Sequence, residues 1–312
     1  MNLKPSENTK LYEMNNFFGE IITLYNEKKM PTKILLSGKK GIGKSTLAYH
    51  IINYILSKTE DFRYDLNSHT INKENKSYKL LQNNSHPNFY LIDLLNDKKS
   101  IDIEQIRQMI TYTNKSNFND MPRFILVDNI ENLNKNSVNA LLKVTEEPNE
   151  NIFFILINNS EKQTLSTLKS RCLTFKINFT FDQSFHVLNN LLNKSLLDYV
   201  HFDLVDYYNT PGEIINLINF AHDKDLDLKD FTLIKLLNLL IDKGYYKKNK
   251  IVKNLLINFI ELFFLKEYRL SITKSSIIFF YHNFIKKIHN AEKFNLDEES
   301  LFLEFKSKLL NG

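Results

Sequence analysis

The stretch GKKGIGKS, from Gly38 to Ser45, restricts the possible folds of this chain more than any other feature. It begins at the last residue of the apolar run KILLSG (Lys33 to Gly38), and that run predicts a short buried strand. It is followed by TLAYHIINYIL, which has the apolar spacing of a helix. Glycines between a strand and a helix let backbone N–H groups turn inward around an anion, and the helix start adds the positive end of its dipole. This unit predicts an α/β domain that binds a phosphate group.

The fixed positions of the loop each have a predicted role in holding a nucleoside triphosphate. The glycines allow the backbone to wrap the phosphates, the lysine reaches the β- and γ-phosphates, and the serine hydroxyl ligates magnesium. The threonine that follows is expected near the α- and β-phosphates. The predicted loop residues are Gly38, Gly41, Gly43, Lys44, Ser45 and Thr46. The expected cofactor is therefore ATP with Mg²⁺.

A magnesium–nucleotide site also needs an acidic residue at the end of a neighbouring strand. Asp128 follows the apolar run FILV and is the predicted second metal ligand, beside Ser45. Many nucleotide hydrolases carry at the next position a Glu that polarises the attacking water, but here that residue is Asn129. An amide is a poor proton acceptor at neutral pH, and Glu131 could face elsewhere. The sequence therefore supports nucleotide binding better than independent hydrolysis.

Strands and helices alternate over the first 178 residues, which predicts a parallel sheet covered by helices on both faces. Further strands are expected at 89–94, 123–129, 151–159 and 173–177. The polar stretch Ser57 to Ser85 has little periodicity and is expected to leave the core. Beyond Phe179 the pattern is only helical. We predict three domains, at 1–178, 179–238 and 239–312.

Composition excludes several classes of protein. Cys172 is the single cysteine among 312 residues, so an intrachain disulfide and a multi-cysteine zinc site are excluded. The N-terminal residues have no apolar signal-peptide core, and the most apolar runs are too short to cross a bilayer, so we expect a cytoplasmic protein without a membrane partner. The net charge of +5 permits contact with nucleic acid without requiring it.

Two late segments interleave aromatic residues with lysines, YYKKNKIVK (Tyr245 to Lys253) and FIKKIHNAEK (Phe284 to Lys293). Contact with nucleic acid is one interpretation. Helices with a buried aromatic face and a basic solvated face are the commoner one, and we expect it here.

Several motifs together resemble one family. The segment SVNALLKVTEEPNENIFFILINNSEKQTLSTLKSRC (Ser137 to Cys172) resembles the bacterial clamp-loader ATPase group of the AAA+ superfamily. HPNFYLID, IDIEQIR and KKMPTKILLSGKKGIGKS resemble the same group. The resemblance covers residues 12–178 well and extends weakly through YYNTPGEIINLI. The last hundred residues match only in being helical.

The resemblance implies an AAA+ P-loop domain, an α-helical lid and an α-helical C-terminal collar that joins five subunits. It implies that Arg171 reaches the γ-phosphate bound by a neighbouring subunit. It also implies that Asn158 senses the γ-phosphate bound by this chain, and Asn159 remains an alternative for that role. Implied partners are gamma/tau and delta subunits in a pentameric ring, a sliding clamp, and primed DNA through the complex. Relatives often carry a four-cysteine zinc module in the interval that here is Ser57 to Ser85, which has no cysteine, so we expect no zinc.

The group contains hydrolysing motors of the gamma/tau class and a stator class called delta-prime. Four features favour the stator class. The water-activating Glu is replaced by Asn129, and Gly212 occupies the lid position where motors carry an ATP-sensing Arg. Glu131 lies three residues after the strand end, and the chain ends at Gly312 without a long polar extension. The intact phosphate loop keeps a gamma-type motor open as an alternative. An unrelated P-loop protein that uses nucleotide as a switch is a further alternative.

Overall fold

A computed structural model describes residues 4–95, 98, 100–116, 119–146, 151–159, 166–205, 209–247, 249–272, 274–294 and 296–310. Parts of the segment that carries the family resemblance, 147–150 and 160–165, lie outside these residues. The chain divides into two compact units, Met1–Gln183 and Ser184–Gly312. The predicted division of the second unit into a lid and a collar stays a prediction. The expected boundary at 238 falls within the helix Leu233–Asp242.

The first unit is built on five parallel strands. They are β1 (Lys33–Ser37), β2 (Phe89–Ile92), β3 (Arg123–Val127), β4 (Ile152–Asn158) and β5 (Leu173–Lys176), in the sheet order β2-β3-β4-β1-β5. The register sets Ser37 opposite Asn158 and Val127 opposite Leu156. The carboxyl ends of β1, β3 and β4 therefore lie side by side, which brings the predicted loop and acid together.

Over the residues that the structure describes, six α-helices accompany the sheet. They are α1 (Asn15–Asn26), α2 (Lys44–Leu56), α3 (Lys76–Gln82), α4 (Ile103–Thr113), α5 (Lys135–Glu146) and α6 (Ser166–Lys169). Successive side chains of a strand point to opposite faces. Ile34 and Leu36 of β1 accordingly join one apolar core with α1 and α2, whereas Leu35 joins a second core with α4 and α5. The predicted parallel sheet with both faces covered is confirmed.

Helix α3 was missed by the sequence pattern, because it lies in the polar stretch expected to leave the core. Asn75 caps it from a buried position, accepting the N–H of Tyr78 at 2.7 Å and donating to Phe62 O at 2.8 Å. Glu60 accepts the N–H groups of Lys76 and Ser77 at 2.8 and 3.0 Å. Side-chain caps satisfy the free N–H groups of a helix start, so α3 forms through polar contacts that apolar periodicity does not reveal.

The second unit is helical, as predicted. Its helices are α7 (Phe181–Leu192), which begins just before the unit, α8 (Pro211–Asp223), α9 (Leu233–Asp242), α10 (Lys250–Leu270), α11 (Lys274–Phe294) and α12 (Glu299–Phe305). None of the helices, over the residues described, is long and apolar enough to cross a membrane.

The two aromatic–lysine segments place their rings inside this unit. Tyr246 is buried and packs edge-on against Phe302, with ring centroids 4.7 Å apart. The lysines near it lie against carboxylates, with Lys253 Nζ 2.5 Å from Glu298 Oε1. Phe284 is buried in the same way. The geometry agrees with helices that bury an aromatic face and expose a basic one.

Candidate nucleotide-binding site

The phosphate loop joins the end of β1 to the start of α2 with a backbone that requires glycine. Gly41 and Gly43 have φ values of +80° and +104°, a region that other residues rarely enter. Gly38 is needed for a different reason, because a Cβ there would lie 2.1 Å from the backbone oxygen of Ile177. The first glycine therefore lets the segment after β5 pack against the loop, and the later two let the loop turn.

The lysine and serine of the loop are both held in place by hydrogen bonds. Lys44 is 3% exposed, and its Nζ donates to the backbone oxygens of Gly38 and Lys39 at 2.9 and 2.6 Å. The ammonium thus lies inside the loop, where phosphate oxygens would be bound. Ser45 Oγ donates to Asp128 Oδ2 at 2.5 Å. The predicted metal ligands Ser45 and Asp128 are therefore in direct contact.

Asp128 follows β3 and accepts hydrogen bonds from two neighbouring residues. Its Oδ1 accepts the N–H of Asn129 at 2.7 Å, in addition to the bond from Ser45. Burial is the main reason that its pKa rises to about 6, and the charge of Asp93 acts in the same direction, against the hydrogen bond from Ser45. A buried carboxylate beside a hydroxyl is a suitable oxygen donor set for Mg²⁺. These residues fit a magnesium–nucleotide complex.

The side chain at position 129 is tied to the ends of two other strands. Asn129 Nδ2 donates to Asp93 Oδ1 at 2.6 Å, and Asn129 Oδ1 accepts from Asn159 Nδ2 at 2.8 Å. Glu131 faces the end of β4, because its Oε2 accepts the N–H of Asn159 at 3.2 Å. The position next to Asp128 therefore offers an amide that already makes two hydrogen bonds. It offers no proton acceptor.

The two adjacent asparagines at the end of β4 face different neighbours. Asn158 Nδ2 lies 3.4 Å from Ser37 Oγ, and its backbone oxygen accepts the N–H of Gly38 at 3.2 Å. Asn158 therefore lies against the phosphate loop, whereas Asn159 lies against Asn129. Of the two candidates for a γ-phosphate sensor, the geometry favours Asn158.

Arg171 lies outside this cluster, between α6 and β5. The residue is exposed, and its Nη1 donates to the backbone oxygen of Thr167 at 3.1 Å, one turn earlier. The neighbouring Cys172 is half-buried, and burial raises the pKa of its thiol, which makes it a poor nucleophile at neutral pH.

Comparison with known families gives the same assignment as the motifs. Residues 14–180, more than half of the chain, match the family described as "DNA polymerase III, delta subunit". The chain belongs to the DNA polymerase III delta subunit family. The matched range contains the whole phosphate loop, Asp128 and Arg171.

Individual relatives come from two subunit classes of DNA polymerase III. A subunit delta' from Buchnera aphidicola subsp. Schizaphis graminum is 29% identical over 250 residues, which are 76% of this chain and 71% of that protein. A subunit gamma from the same bacterium is 33% identical over 162 residues, 51% of this chain and 42% of that protein. This chain therefore spans less than half of the gamma relative.

A solved structure of a gamma subunit-related protein from Thermotoga maritima covers 92% of this chain and 97% of its own length. Its identity is 17% and its TM-score is 0.48. This similarity is too low to carry an argument. The fold described here rests on the chain's own sheet order.

Two residues of this family member's pocket were missed by sequence reasoning. Asp93 directly follows β2 and its apolar run FYLI, just as Asp128 directly follows β3 and its run FILV, so the similarity of the two strand ends could have revealed it. Asn8 donates from Nδ2 to Thr46 Oγ at 3.4 Å and lies in an N-terminal segment with no recognisable signal. The structure thus places all the predicted loop residues, Asp128 and Asn158 at one edge of the sheet.

Proposed function

We propose that this chain is a delta-prime-type stator subunit of a replicative clamp loader. In this role it helps an ATP-driven complex place a sliding clamp on primed DNA, and it belongs with the replication machinery of the cytoplasm. Its partners are gamma/tau-type and delta-type subunits, arranged as a ring of five. Membership of the DNA polymerase III delta subunit family and the delta' relative support this role. They also argue against an unrelated P-loop switch.

The observation that carries the stator assignment is the side chain at position 129. Its amide bonds with Asp93 and Asn159, so the residue next to Asp128 can neither accept a proton nor turn freely toward an attacking water. The pocket has the loop, Lys44, Ser45 and Asp128 needed to hold Mg–ATP. We therefore expect ATP binding with weak or absent hydrolysis by the isolated chain, and no structural zinc.

The second part of the proposal concerns Arg171, which acts on the ATP of a neighbouring motor subunit. A guanidinium there offsets negative charge that develops on the transferring phosphoryl group, and such arginines supply roughly 10³–10⁵ in rate. The exposure of Arg171 and its position just before β5, within the matched range, support this role.

The test uses a reconstituted complex in which only the motor subunit beside this chain can hydrolyse ATP. In the other motor subunits the lysine of the phosphate loop is replaced, so that they do not hydrolyse. Arg171→Ala is expected to lower the rate of that one site by about 10³ or more while the complex keeps its size. The matched control is Arg107→Ala, an exposed arginine on α4 paired with Glu104. Assembly at full size with unchanged hydrolysis would contradict the role of Arg171.

A gamma-type motor is the second candidate, favoured by the intact loop and the gamma relative. It predicts steady ATP turnover by the isolated full chain, abolished by Lys44→Ala. Turnover of that kind would replace the stator assignment, whereas ATP binding without turnover would support it.

A further inference from the structure

The N-terminal segment, residues 5–11, lies across the first two turns of α2, and one of its residues is held there at two points. The backbone oxygen of Asn8 lies 3.0 Å from His50 Nε2, and Asn8 Nδ2 donates to Thr46 Oγ at 3.4 Å. Thr46 and His50 are four residues apart on α2, so their side chains lie on the same face of the helix. We propose that Asn8 is a positioning residue of the nucleotide pocket, acting through Thr46, and that His50 and Tyr64 hold it in place.

The chemistry of the groups around His50 gives each of them one role. A backbone oxygen only accepts hydrogen bonds, so His50 donates from Nε2–H to Asn8 O. Burial lowers the pKa of His50 to about 4, so its ring is neutral at pH 7 and Nδ1 carries no hydrogen. Nδ1 therefore accepts from the hydroxyl of Tyr64, which lies 2.9 Å away. Tyr64 is itself buried, and its ring stacks on Phe18 with the ring centroids 5.1 Å apart. A fixed tyrosine thus sets the orientation of the histidine that contacts Asn8.

The polar stretch Ser57 to Ser85, which contains Tyr64, also contacts the backbone of the N-terminal segment. The N–H of Ile71 donates to Thr9 O at 2.7 Å, and the N–H of Leu11 donates to His69 O at 3.1 Å. These bonds begin one residue after the point that α2 contacts. The polar stretch and α2 therefore hold the N-terminal segment from two sides, which fixes the position of the side chain at residue 8.

The contact with Asn8 leaves the hydroxyl of Thr46 able to serve a phosphate group. The NH₂ group of an amide only donates, so Thr46 Oγ accepts from it and still has a hydrogen to donate to a phosphate oxygen. Thr46 is half-buried in the first turn of α2, where the helix dipole favours an anion. A carboxylate at position 8 would have the opposite effect, because it would accept the hydroxyl hydrogen and place a negative charge near the phosphates.

A cycle of variants in the full-length chain tests the link between Asn8 and Thr46, with the affinity for Mg–ADP as the readout. Asn8→Ala and Thr46→Val should each weaken binding by about three- to tenfold, the effect of one lost hydrogen bond. Because Asn8 acts through Thr46, Asn8→Ala should change the affinity of the Thr46→Val chain by less than about twofold. Asn8→Asp should weaken binding more than Asn8→Ala does, although its side chain has nearly the same size as asparagine.

The second comparison removes the hydroxyl that orients His50. Tyr64→Phe keeps the stacked ring, and it should weaken Mg–ADP binding by about threefold or more. In the Asn8→Ala chain the same substitution should change the affinity by less than about 1.5-fold, because the side chain that it positions is already lost. The matched control is Tyr112→Phe, which removes a hydroxyl that donates to Pro87 O at 2.6 Å. It should leave the affinity unchanged. Urea unfolding of each variant verifies that it is folded.

The proposal rests on the proposed function, since it assigns residues to the nucleotide site, but the two fail in different ways. A wild-type chain that binds no Mg–ADP would overturn both. Binding by the wild-type chain that is unaffected by Asn8→Ala, or an Asn8→Ala effect that is equally large in the Thr46→Val chain, would overturn only the role of Asn8. Binding that Tyr64→Phe weakens no more than Tyr112→Phe does would overturn the part of the proposal that concerns His50 and Tyr64.

Discussion

Asp128→Asn should make the metal-free chain more stable while removing a ligand of the proposed magnesium site. Burial raises the pKa of Asp128 from 3.8 to about 6, so the folded chain binds this proton about 2 pKa units more tightly than the unfolded chain does. Each unit corresponds to about 1.4 kcal/mol, so the ionised carboxylate costs the folded state up to about 3 kcal/mol. Asparagine removes that cost. It can keep both contacts, accepting from the N–H of Asn129 and donating to Ser45 Oγ.

The sign of the effect fixes the pH window. Since the folded-state pKa is raised, the destabilising effect of Asp128 begins as pH rises above about 4 and is complete above about 6. In EDTA, the stability gained by Asp128→Asn should grow by about 1.4 kcal/mol between pH 5 and pH 8. Urea unfolding at the two pH values measures this difference. Asp61→Asn, which changes an exposed carboxylate, should shift stability by less than about 0.5 kcal/mol at either pH.

Ligand addition should reverse the order of the two proteins. Mg–ATP should stabilise the wild-type chain in proportion to its binding and should have a smaller effect on Asp128→Asn, which lacks the metal-binding charge. The prediction is wrong if Asp128→Asn is less stable than wild type at pH 8 without metal. It is also wrong if the difference in free energy of unfolding between the two proteins does not change with pH. Either result would refute the assignment of Asp128 as a carboxylate whose burial destabilises the metal-free chain.

Two further predictions concern the loop. Gly38→Ala should lower the free energy of unfolding by about 2 kcal/mol or more, because the added Cβ would meet Ile177 O. Gly19→Ala is the matched control. Gly19 occupies an exposed helix position with open space around it, so this substitution should raise the free energy of unfolding by roughly 0.5–1 kcal/mol. Equal urea midpoints for the two variants would contradict the packing role of Gly38. Lys44→Ala should abolish binding of a fluorescent ATP analogue, because the ammonium at the centre of the loop is lost. Binding of unchanged affinity would mean that the nucleotide lies elsewhere.

The sheet was predictable because its signal is local. Strands β1, β3 and β4 are short, mostly buried apolar runs that end in glycine or polar residues, so they were expected within a residue or two of where they lie. Helix α3 was not predictable in this way. Its start is stabilised by Glu60 and Asn75, which reach it through turns rather than through an apolar stripe.

The site could be predicted as far as its residues follow strand ends. Lys44, Ser45 and Asp128 were expected together, since parallel strands bring their carboxyl ends to one edge. The direction of the Asn129 side chain and the part played by Asp93 depend on which strands are neighbours. In this fold β3 lies between β2 and β4. The spacing of residues along the chain does not predict which strands are neighbours.

The central claim is that Arg171 serves the nucleotide of an adjoining subunit while this chain does not hydrolyse its own. The most direct measurement is single-site ATP hydrolysis in the reconstituted complex whose sole active motor adjoins this chain. We predict that Arg171→Ala lowers that rate by about 10³ or more, whereas Lys44→Ala in this chain leaves the complex hydrolysing. A full-size Arg171→Ala complex that hydrolyses at the wild-type rate would contradict the account.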